Sequence, residues 1–202
     1  EIFGEMAKKG YIYKGLKPVH WCSHCGTALA EAEIEYADDP CYSVYVKFEV
    51  TDDKGKLFSM GAVPGKTYVV IWTTTTWTLP ANVAICLGPN FDYALLKANR
   101  EGETEYYVVA KELAANVMQE AGIEEYEIIG TVKGSELEYV ECAHPFLDRK
   151  SILILGDHVT LDSGTGCVHT APGHGMDDFM VVTQHYPEIP FTVPVDSEGR
   201  MT

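Results

Sequence analysis

Hydrophobic and polar positions alternate in short runs along most of the 202 residues, a pattern typical of β-strands with one buried face. β-branched and aromatic residues fill these runs, and Gly, Pro, Asn and Asp separate them. The predicted strands span residues 42–50, 66–73, 83–87, 92–98, 105–110, 126–132, 139–142, 151–155, 167–170 and 191–195. Residues 31–36 are predicted as a strand or a short helix, and residues 15–28 as a loop.

Three segments carry helical spacing instead. Residues 1–9 resemble the end of a helix, with lysines in the last turn and Gly10 as the stop. Residues 111–121 are the clearest helix, closed by Gly122. Residues 176–186 form the third, with two aspartates in a first turn where the helix dipole favours acids. Many short strands with few helices predict an α+β fold, a β-barrel-like antiparallel core with peripheral helices and a closed or strongly curved sheet.

Composition places the chain among ordinary globular proteins, with 46% hydrophobic residues and no apolar run of membrane-spanning length. Most of the six cysteines stand singly in apolar surroundings, which predicts a reduced protein in the cytoplasm. The first residues are neither an initiator Met nor a signal peptide, so we expect a monomeric piece of a longer protein.

The net charge of −15 argues against this chain being the main grip on a nucleic acid, because Lys and Arg provide most phosphate affinity. It does not exclude a nucleic-acid end that another part of a longer protein delivers. Simple solubility is the alternative explanation of the charge.

Residues 164–178, GTGCVHTAPGHGMDD, gather chemistry-bearing residues in a short stretch. Its glycines allow a backbone to approach a ligand closely, and a helix that begins near Met176 would point free N–H groups into the loop. His169 at the end of a strand and Asp178 one turn into the helix can face one hollow. A carboxylate there suits an ammonium group, and a histidine suits hydrogen bonding or proton transfer. Surface acids and ordinary loop histidines are the alternative.

A second unusual stretch is WTTTTWTLPAN, residues 72–82. Consecutive threonines at the end of a buried strand put hydroxyls on both faces, and these can hold a water or a sugar hydroxyl. A β-branched strand end, with Trp77 in the core, is the structural alternative.

Two metal hypotheses also arise from the sequence. His169, His174 and Asp178 could supply three ligands to a catalytic zinc, although Pro172 and Gly173 interrupt the helical histidine spacing of familiar zinc hydrolases. Cys22 and Cys25 form a CxxC pair, which is half of a zinc knuckle, and no second CxxC exists in the chain.

The two stretches together resemble the editing domain of isoleucyl-tRNA synthetases, an insertion in a class I catalytic domain. LAEAEIEY, HPF and LGDHVTLDSGTG also fit, so the resemblance covers nearly the whole chain from about Tyr13. It implies a connecting segment over residues 1–36 that carries the half knuckle, and an editing domain over residues 37–202. The family has Pro where this chain has Thr76. The HIGH and KMSKS motifs of amino-acid activation are missing, so ATP-dependent aminoacylation is not expected here.

The resemblance implies a role for each site residue. Asp178 would bind the α-ammonium of the misplaced amino acid, and His169 and Ala171 would line the pocket for its side chain. Trp77 would form a wall. The remaining residues would hold the terminal adenosine, the ester and the attacking water: Thr73, Thr74, Thr75 and Thr78. Thr74, Thr75, His169 and Asp178 are the expected catalytic set, with His169 also open as a general base.

The implied reaction is hydrolysis of the ester of valyl-tRNA(Ile) after transfer, and of the adenylate before transfer. The partners would be the 3′ end of tRNA(Ile), delivered by the rest of the synthetase, and a valine moiety, with no membrane. Editing would need no cofactor, and a structural zinc would belong to the full-length protein. A metal-dependent hydrolase, a non-catalytic module that binds aminoacyl-adenosine, and an inert fragment remain alternatives.

Overall fold

The computed structural model describes residues 1–202 as one mixed sheet, a separate hairpin and three short helices. The strands are β1 His20–Cys22, β2 Thr27–Leu29, β3 Val44–Asp52, β4 Thr67–Thr73, β5 Ala84–Leu87, β6 Asp92–Arg100, β7 Glu103–Ala110, β8 Tyr126–Lys133, β9 Glu141–Ala143, β10 Lys150–Leu155 and β11 Cys167–Thr170. The helices are α1 Ile2–Lys8, α2 Ala114–Glu120 and α3 Met176–His185. Short 3₁₀ helices lie at Glu31–Glu33, Phe58–Met60, Thr76–Ala81, Lys111–Leu113 and Gly134–Glu136. No helix combines the length and the apolarity needed to cross a membrane.

Nine strands form the main sheet in the order β11-β5-β10-β9-β3-β4-β7-β6-β8. Two of its pairs, β5 with β10 and β4 with β7, are parallel, and the others are antiparallel. The sheet is strongly curved, since the edge strand β11 packs back against β4, but its edges do not join through hydrogen bonds. The predicted α+β fold with a strongly curved, barrel-like sheet is therefore confirmed, although the sheet is not closed and two of its strand pairs are parallel.

The curvature encloses one main hydrophobic core and leaves a smaller one outside it. Phe48, Ile71 and Leu95 are fully buried in the main core. In the smaller cluster, Val181 and Val182 of α3 pack with Cys86 of β5 and Ile154 of β10. Burying two adjacent valines fixes α3 to the sheet, and with it the position of the first turn that holds Asp178.

Two local predictions are wrong. Residues 191–195 form no strand, and only Val195 makes a single bridge, with Met201. Pro190 and Pro194 lack the N–H groups that a ladder requires. Residues 15–28, expected as a loop, contain the antiparallel hairpin β1–β2, in which Gly26 takes a positive φ of 64° at the turn.

The segment that precedes β3 lies outside the core, since no residue before Phe48 is buried. The hairpin reaches the other end of the chain instead. The indole N–H of Trp21 donates a hydrogen bond to the carbonyl oxygen of Ser197 at 2.8 Å. The two terminal segments thus lie against each other beside the main sheet.

Candidate active site

The threonine segment turns sharply where β4 ends. The backbone N–H of Thr75 donates to the hydroxyl of Thr73 at 3.0 Å, an arrangement that closes a tight turn after the strand. The 3₁₀ helix begins at Thr76, so the chain makes this turn without a proline at that position. Thr73 and Thr78 are buried, while Thr74 and Thr75 are exposed with hydroxyls that make no hydrogen bond within the protein. These two hydroxyls are free for a ligand.

The glycine-rich stretch forms β11, a tight loop and the start of α3. Gly166 precedes β11 with a φ of +71°, which places its Cα against the side chain of Ala110 in β7. After β11, the N–H of His174 donates to the carbonyl oxygen of Ala171 at 2.9 Å, and Gly175 leads into the helix. The loop therefore brings the end of β11 and the first turn of α3 together.

His169 is held between buried polar side chains on both of its ring nitrogens. Its Nε2 lies 3.0 Å from the hydroxyl of Thr78, and its Nδ1 lies 2.8 Å from Nδ2 of Asn82. The Thr78 hydroxyl also donates to the carbonyl oxygen of Thr75 at 2.9 Å. Burial, with smaller contributions from the neighbouring histidines His144 and His174, lowers the pKa of His169 to about 4. The imidazole is neutral at physiological pH and joins β11 to the threonine segment.

Asp178 is a half-buried carboxylate in the first turn of α3, next to this loop. One of its oxygens accepts the backbone N–H of Ala171 at 2.8 Å. Burial raises the pKa of Asp178, and the Ala171 hydrogen bond offsets part of this. None of the salt bridges in the structure involves Asp178. The carboxylate therefore lacks a salt-bridge partner, and the one cationic side chain that lowers its pKa is His158.

Trp77 stands at the edge of this site and borders a large cavity. Its ring, 56% exposed, meets His174 edge-on at 5.2 Å between centroids. The cavity has a volume of about 820 Å³. Its other walls come from the hairpin, the chain that follows α3, and the loop before α3, including Trp21, Phe191 and Pro172. The site thus opens beside a space of the size that ligand pockets have.

The structure joins some of the expected residues and keeps others apart. Thr75, Thr78 and His169 form one hydrogen-bonded group, and Ala171 links it along the chain to Asp178. No hydrogen bond connects Asp178 with His169. The hydroxyls of Thr73 and Thr78 form hydrogen bonds within the protein, whereas Thr74 and Thr75 are exposed to solvent.

Two polar residues that the motif analysis did not select belong to this group. Asn82 and Ser151 are fully buried, and the Ser151 hydroxyl donates to Oδ1 of Asn82 at 2.5 Å. A signal for Asn82 existed, because an asparagine directly before an apolar strand must find hydrogen-bond partners when buried. For Ser151 no comparable signal exists, since one serine in a strand has no distinctive spacing.

The donor geometry opposes the catalytic-zinc hypothesis, and the pair of cysteines stays half of a zinc site, as the sequence predicts. No group of three or more His, Cys, Asp or Glu side chains in the structure could hold a metal ion, so His169, His174 and Asp178 do not form the expected triad. Both nitrogens of His169 are already engaged. Cys22 and Cys25 lie together in the hairpin, where the Cys25 N–H donates to the Cys22 sulfur at 3.3 Å and lowers the pKa of Cys22. Two thiols are half of the four ligands of a structural zinc.

A family model described as class I tRNA synthetases (I, L, M and V) matches residues 1–184. The isoleucine–tRNA ligase of Caldicellulosiruptor saccharolyticus is 59% identical over 201 residues, and that of a Thermoanaerobacter species is 55% identical over 202 residues. Each alignment covers 100% of this chain, which spans only 21% of either relative.

Solved structures share the fold at low sequence identity. The editing domain of the P. knowlesi cytosolic leucyl-tRNA synthetase superposes with a TM-score of 0.60 and 13% identity, over 75% of this chain and 66% of that one. The corresponding P. falciparum domain gives a TM-score of 0.56 and 14% identity, over 73% and 68%. The mixed, curved sheet with few helices is therefore the fold of these editing domains.

Proposed function

The chain belongs to the class I tRNA synthetases for isoleucine, leucine, methionine and valine, and from that membership we propose that it edits, hydrolysing wrongly attached aminoacyl esters. Identity to isoleucine–tRNA ligases along the whole chain supports an isoleucine-specific enzyme as its parent protein. The observation that carries the proposal is the site itself. Two threonines with free hydroxyls belong to the segment that Thr78 joins to a neutral, hydrogen-bonded histidine, and a carboxylate without a salt bridge lies in the first turn of α3.

Asp178 is proposed as the anchor of the α-ammonium group. A half-buried carboxylate without a salt bridge gains an ion pair when an aminoacyl group enters. The Ala171 N–H holds one carboxylate oxygen in place, so the other side of the group can receive the ligand. This anchor fixes the amino acid at one end and places its ester next to the threonine segment.

Thr74, Thr75 and Trp77 are proposed to hold the terminal adenosine and the attacking water. The exposed threonine hydroxyls can donate to one partner and accept from another, as a water or a ribose hydroxyl requires. The exposed face of Trp77 offers a surface on which a base can stack. The hydrogen bonds of the buried Thr73 and Thr78 hydroxyls hold the backbone of this segment in place.

The chemical step is water attack on the ester carbonyl carbon. The water's oxygen bonds to the carbonyl carbon and the bond from that carbon to the ribose oxygen breaks. One proton of the water is relayed through the neighbouring ribose hydroxyl to the leaving ribose oxygen, which departs as an alcohol. Positioning and hydrogen bonds to the developing oxyanion lower the barrier. The chain contributes no covalent nucleophile to this step.

Selection of valine over isoleucine is proposed to rest on the pocket next to His169 and Ala171. One methylene is worth only about 1–3 kcal/mol of discrimination in a single pocket, and isoleucyl-tRNA synthetases are themselves the established example of a second sieve. An imidazole bonded at both nitrogens cannot move aside for a larger side chain. A rigid wall therefore excludes isoleucine by size.

The rest of the parent enzyme is proposed to bring the tRNA(Ile) 3′ end to this site, in the cytoplasm. The chain spans about a fifth of its relatives and carries a net charge of −15, which is unfavourable for gripping tRNA alone. One pocket would serve both the charged tRNA and the adenylate, because both present the same aminoacyl group and adenosine.

Misacylation by the intact ligase tests the proposal. With valine, ATP and tRNA(Ile), the ligase carrying Asp178→Ala should accumulate valyl-tRNA(Ile), while its charging with isoleucine stays unchanged. The matched control is Asp177→Ala, which alters the exposed neighbour in the same helical turn. Absence of valyl-tRNA from the Asp178→Ala enzyme would remove Asp178 from the editing reaction.

A further inference from the structure

The starting observation is a buried chain of hydrogen bonds that crosses three strands. It runs from Ser151 in β10 through Asn82, which precedes β5, to His169 in β11, and ends at Thr78. Asn82 and Ser151 are 0% exposed and Thr78 is 6% exposed. His169 itself is half-buried, but each of its ring nitrogens faces a buried side chain, so a missing or misdirected bond to Asn82, Ser151 or Thr78 leaves a buried polar group without a partner.

The orientation of the Asn82 amide follows from its neighbours. Its Nδ2 lies 2.8 Å from the carbonyl oxygen of Ala84, which can only accept a hydrogen bond. Its Oδ1 receives the hydroxyl of Ser151. Amide oxygen and nitrogen are thereby distinguished by chemistry. The second N–H of the same amide points to Nδ1 of His169 at 2.8 Å.

A donor facing Nδ1 decides where the imidazole proton sits. Nδ1 must accept, so it is unprotonated, and the single proton of the neutral ring lies on Nε2. The Nε2–H donates a hydrogen bond to the Thr78 hydroxyl oxygen at 3.0 Å, and the Thr78 hydroxyl in turn donates a hydrogen bond to the Thr75 carbonyl oxygen. Donors and acceptors alternate from Ser151 to Thr75 without a conflict.

We propose that Ser151 and Asn82 are positioning residues that hold His169 in its neutral Nε2–H form, which excludes His169 as the general base of the site. The proposal rests on the editing function proposed above and assigns the part that His169 plays in it. Protonation at Nδ1 would set an N–H against the amide N–H of Asn82. The Nδ1–H tautomer and the imidazolium both carry a proton on Nδ1, so both are disfavoured at this position.

The surroundings of His169 do not oppose this assignment. The titratable groups that act on the ring are His144 and His174, and no carboxylate compensates a positive charge there. Burial independently lowers the pKa of His169, in agreement with the hydrogen-bond directions. His169 consequently acts as a fixed wall and a strut for the threonine segment, and the proton of the attacking water goes elsewhere.

The first test is spectroscopic and needs no activity. In the chain labelled with ¹⁵N-histidine, two-bond ¹H–¹⁵N spectra distinguish protonated from unprotonated ring nitrogens. We expect His169 to show a protonated Nε2 and an unprotonated Nδ1 from pH 8 to pH 5.5. A protonated Nδ1 or an averaged pair of signals would overturn the proposal, whatever the editing assays give.

Asn82→Asp tests whether Asn82 is what holds His169 in its Nε2–H form. A carboxylate offers no donor to Nδ1, so His169 should move its proton to Nδ1 or become charged at a higher pH than in the wild type. An unchanged Nε2–H signal in Asn82→Asp would overturn the role of Asn82. Ser151→Ala is the milder variant, since it leaves only Oδ1 of Asn82 without its donor.

Deacylation of valyl-tRNA(Ile) by the intact ligase tests whether the fixed Nε2–H form of His169 contributes to editing. Losing one buried hydrogen bond of about 1 kcal/mol should lower kcat of Ser151→Ala by about three- to tenfold with KM unchanged. Thr67→Val is the control, because it also removes a fully buried hydroxyl, bonded to Val63 and distant from His169 in the chain. Equal effects of the two variants would reduce Ser151 to a structural role.

The same assay separates this proposal from the editing proposal. If the wild-type ligase edits and its rate shows an ionisation that vanishes in His169→Gln, editing stands and the tautomer assignment fails. If the wild-type ligase does not deacylate while the spectra show the Nε2–H form, the tautomer assignment stands and the editing function fails.

Discussion

Two buried titratable side chains, His169 and Asp178, define the electrostatics of the site at the scale of single residues. Burial lowers the pKa of His169 and raises the pKa of Asp178, so both shifts disfavour a charge while the site is empty of ligand. A neutral histidine together with a carboxylate that has no salt bridge favours a cationic ligand over an anionic one. The ammonium group of an aminoacyl ester meets this requirement.

The stability of the chain should depend on pH through His169. Its pKa is 6.5 in ordinary surroundings and about 4 in the fold, so between these values the unfolded chain binds a proton that the folded chain does not. Stability is therefore retained above pH 6.5 and lost as the pH falls towards 4. The gap corresponds to on the order of 3 kcal/mol below both values.

Urea unfolding from pH 7 to pH 4 measures this dependence. His169→Gln should lose less stability on acidification than the wild type. The control is His185→Gln, at the exposed end of α3, which should follow the wild-type curve. Three superimposable pH profiles would show that His169 does not remain neutral in the fold.

Asp178→Asn should make the chain more stable and abolish editing. The amide oxygen can still accept the Ala171 N–H, while the buried charge is removed, so the free energy of unfolding at pH 7 should rise by about 1 kcal/mol. Editing should be lost in the same variant. Asp177→Asn, at an exposed neighbouring position, should change neither property. A destabilised Asp178→Asn chain would indicate that the carboxylate serves the fold.

At the scale of elements, β11 depends on the glycine that precedes it. Ala at Gly166 would meet a φ of +71° and collide with the side chain of Ala110. Backbone strain and overpacking together should cost about 2–4 kcal/mol. Gly65→Ala is the matched control, since its φ is +76° and nothing lies within 4 Å of an added Cβ. Urea unfolding should show a larger loss for Gly166→Ala, and equal losses would contradict this packing.

Most strands and helices can be predicted from the local sequence pattern, but the way in which the strands pair in the sheet cannot. The β-branched and aromatic residues of 66–73 and the short apolar run of 92–98 predict β4 and β6 closely, and both strands are largely buried. The parallel pairs, and the return of β11 to β4, depend on long connections that alternation does not encode. At residues 191–195 the strand prediction weighed side chains and neglected two prolines that break the ladder.

The candidate site divides in the same way. Threonines, glycines and the aspartate of α3 are visible as dense motifs, and they mark the loops that form the site. Asn82 and Ser151 acquire their roles only when β5, β10 and β11 lie side by side. A buried polar residue gains its meaning from its neighbours across the sheet, which no spacing along the chain reveals.

At the scale of the whole molecule, we propose a boundary between a connecting segment, residues 1–36, and an editing domain, residues 37–202. The core uses no residue before Phe48, and the hairpin contributes only to the cavity wall near Ser197. A protein consisting of residues 37–202 should therefore fold, with a free energy of unfolding within about 1 kcal/mol of the full chain. Loss of cooperative urea unfolding would show that the N-terminal segment is part of the domain.

The central claim is tested most directly by deacylation of valyl-tRNA(Ile) and isoleucyl-tRNA(Ile), with the chain alone and with the intact ligase that contains it. We predict that valine is released about tenfold faster or more than isoleucine, and that Asp178→Ala abolishes the difference. Equal release of both amino acids, or selective release that survives Asp178→Ala in the intact ligase, would contradict the account.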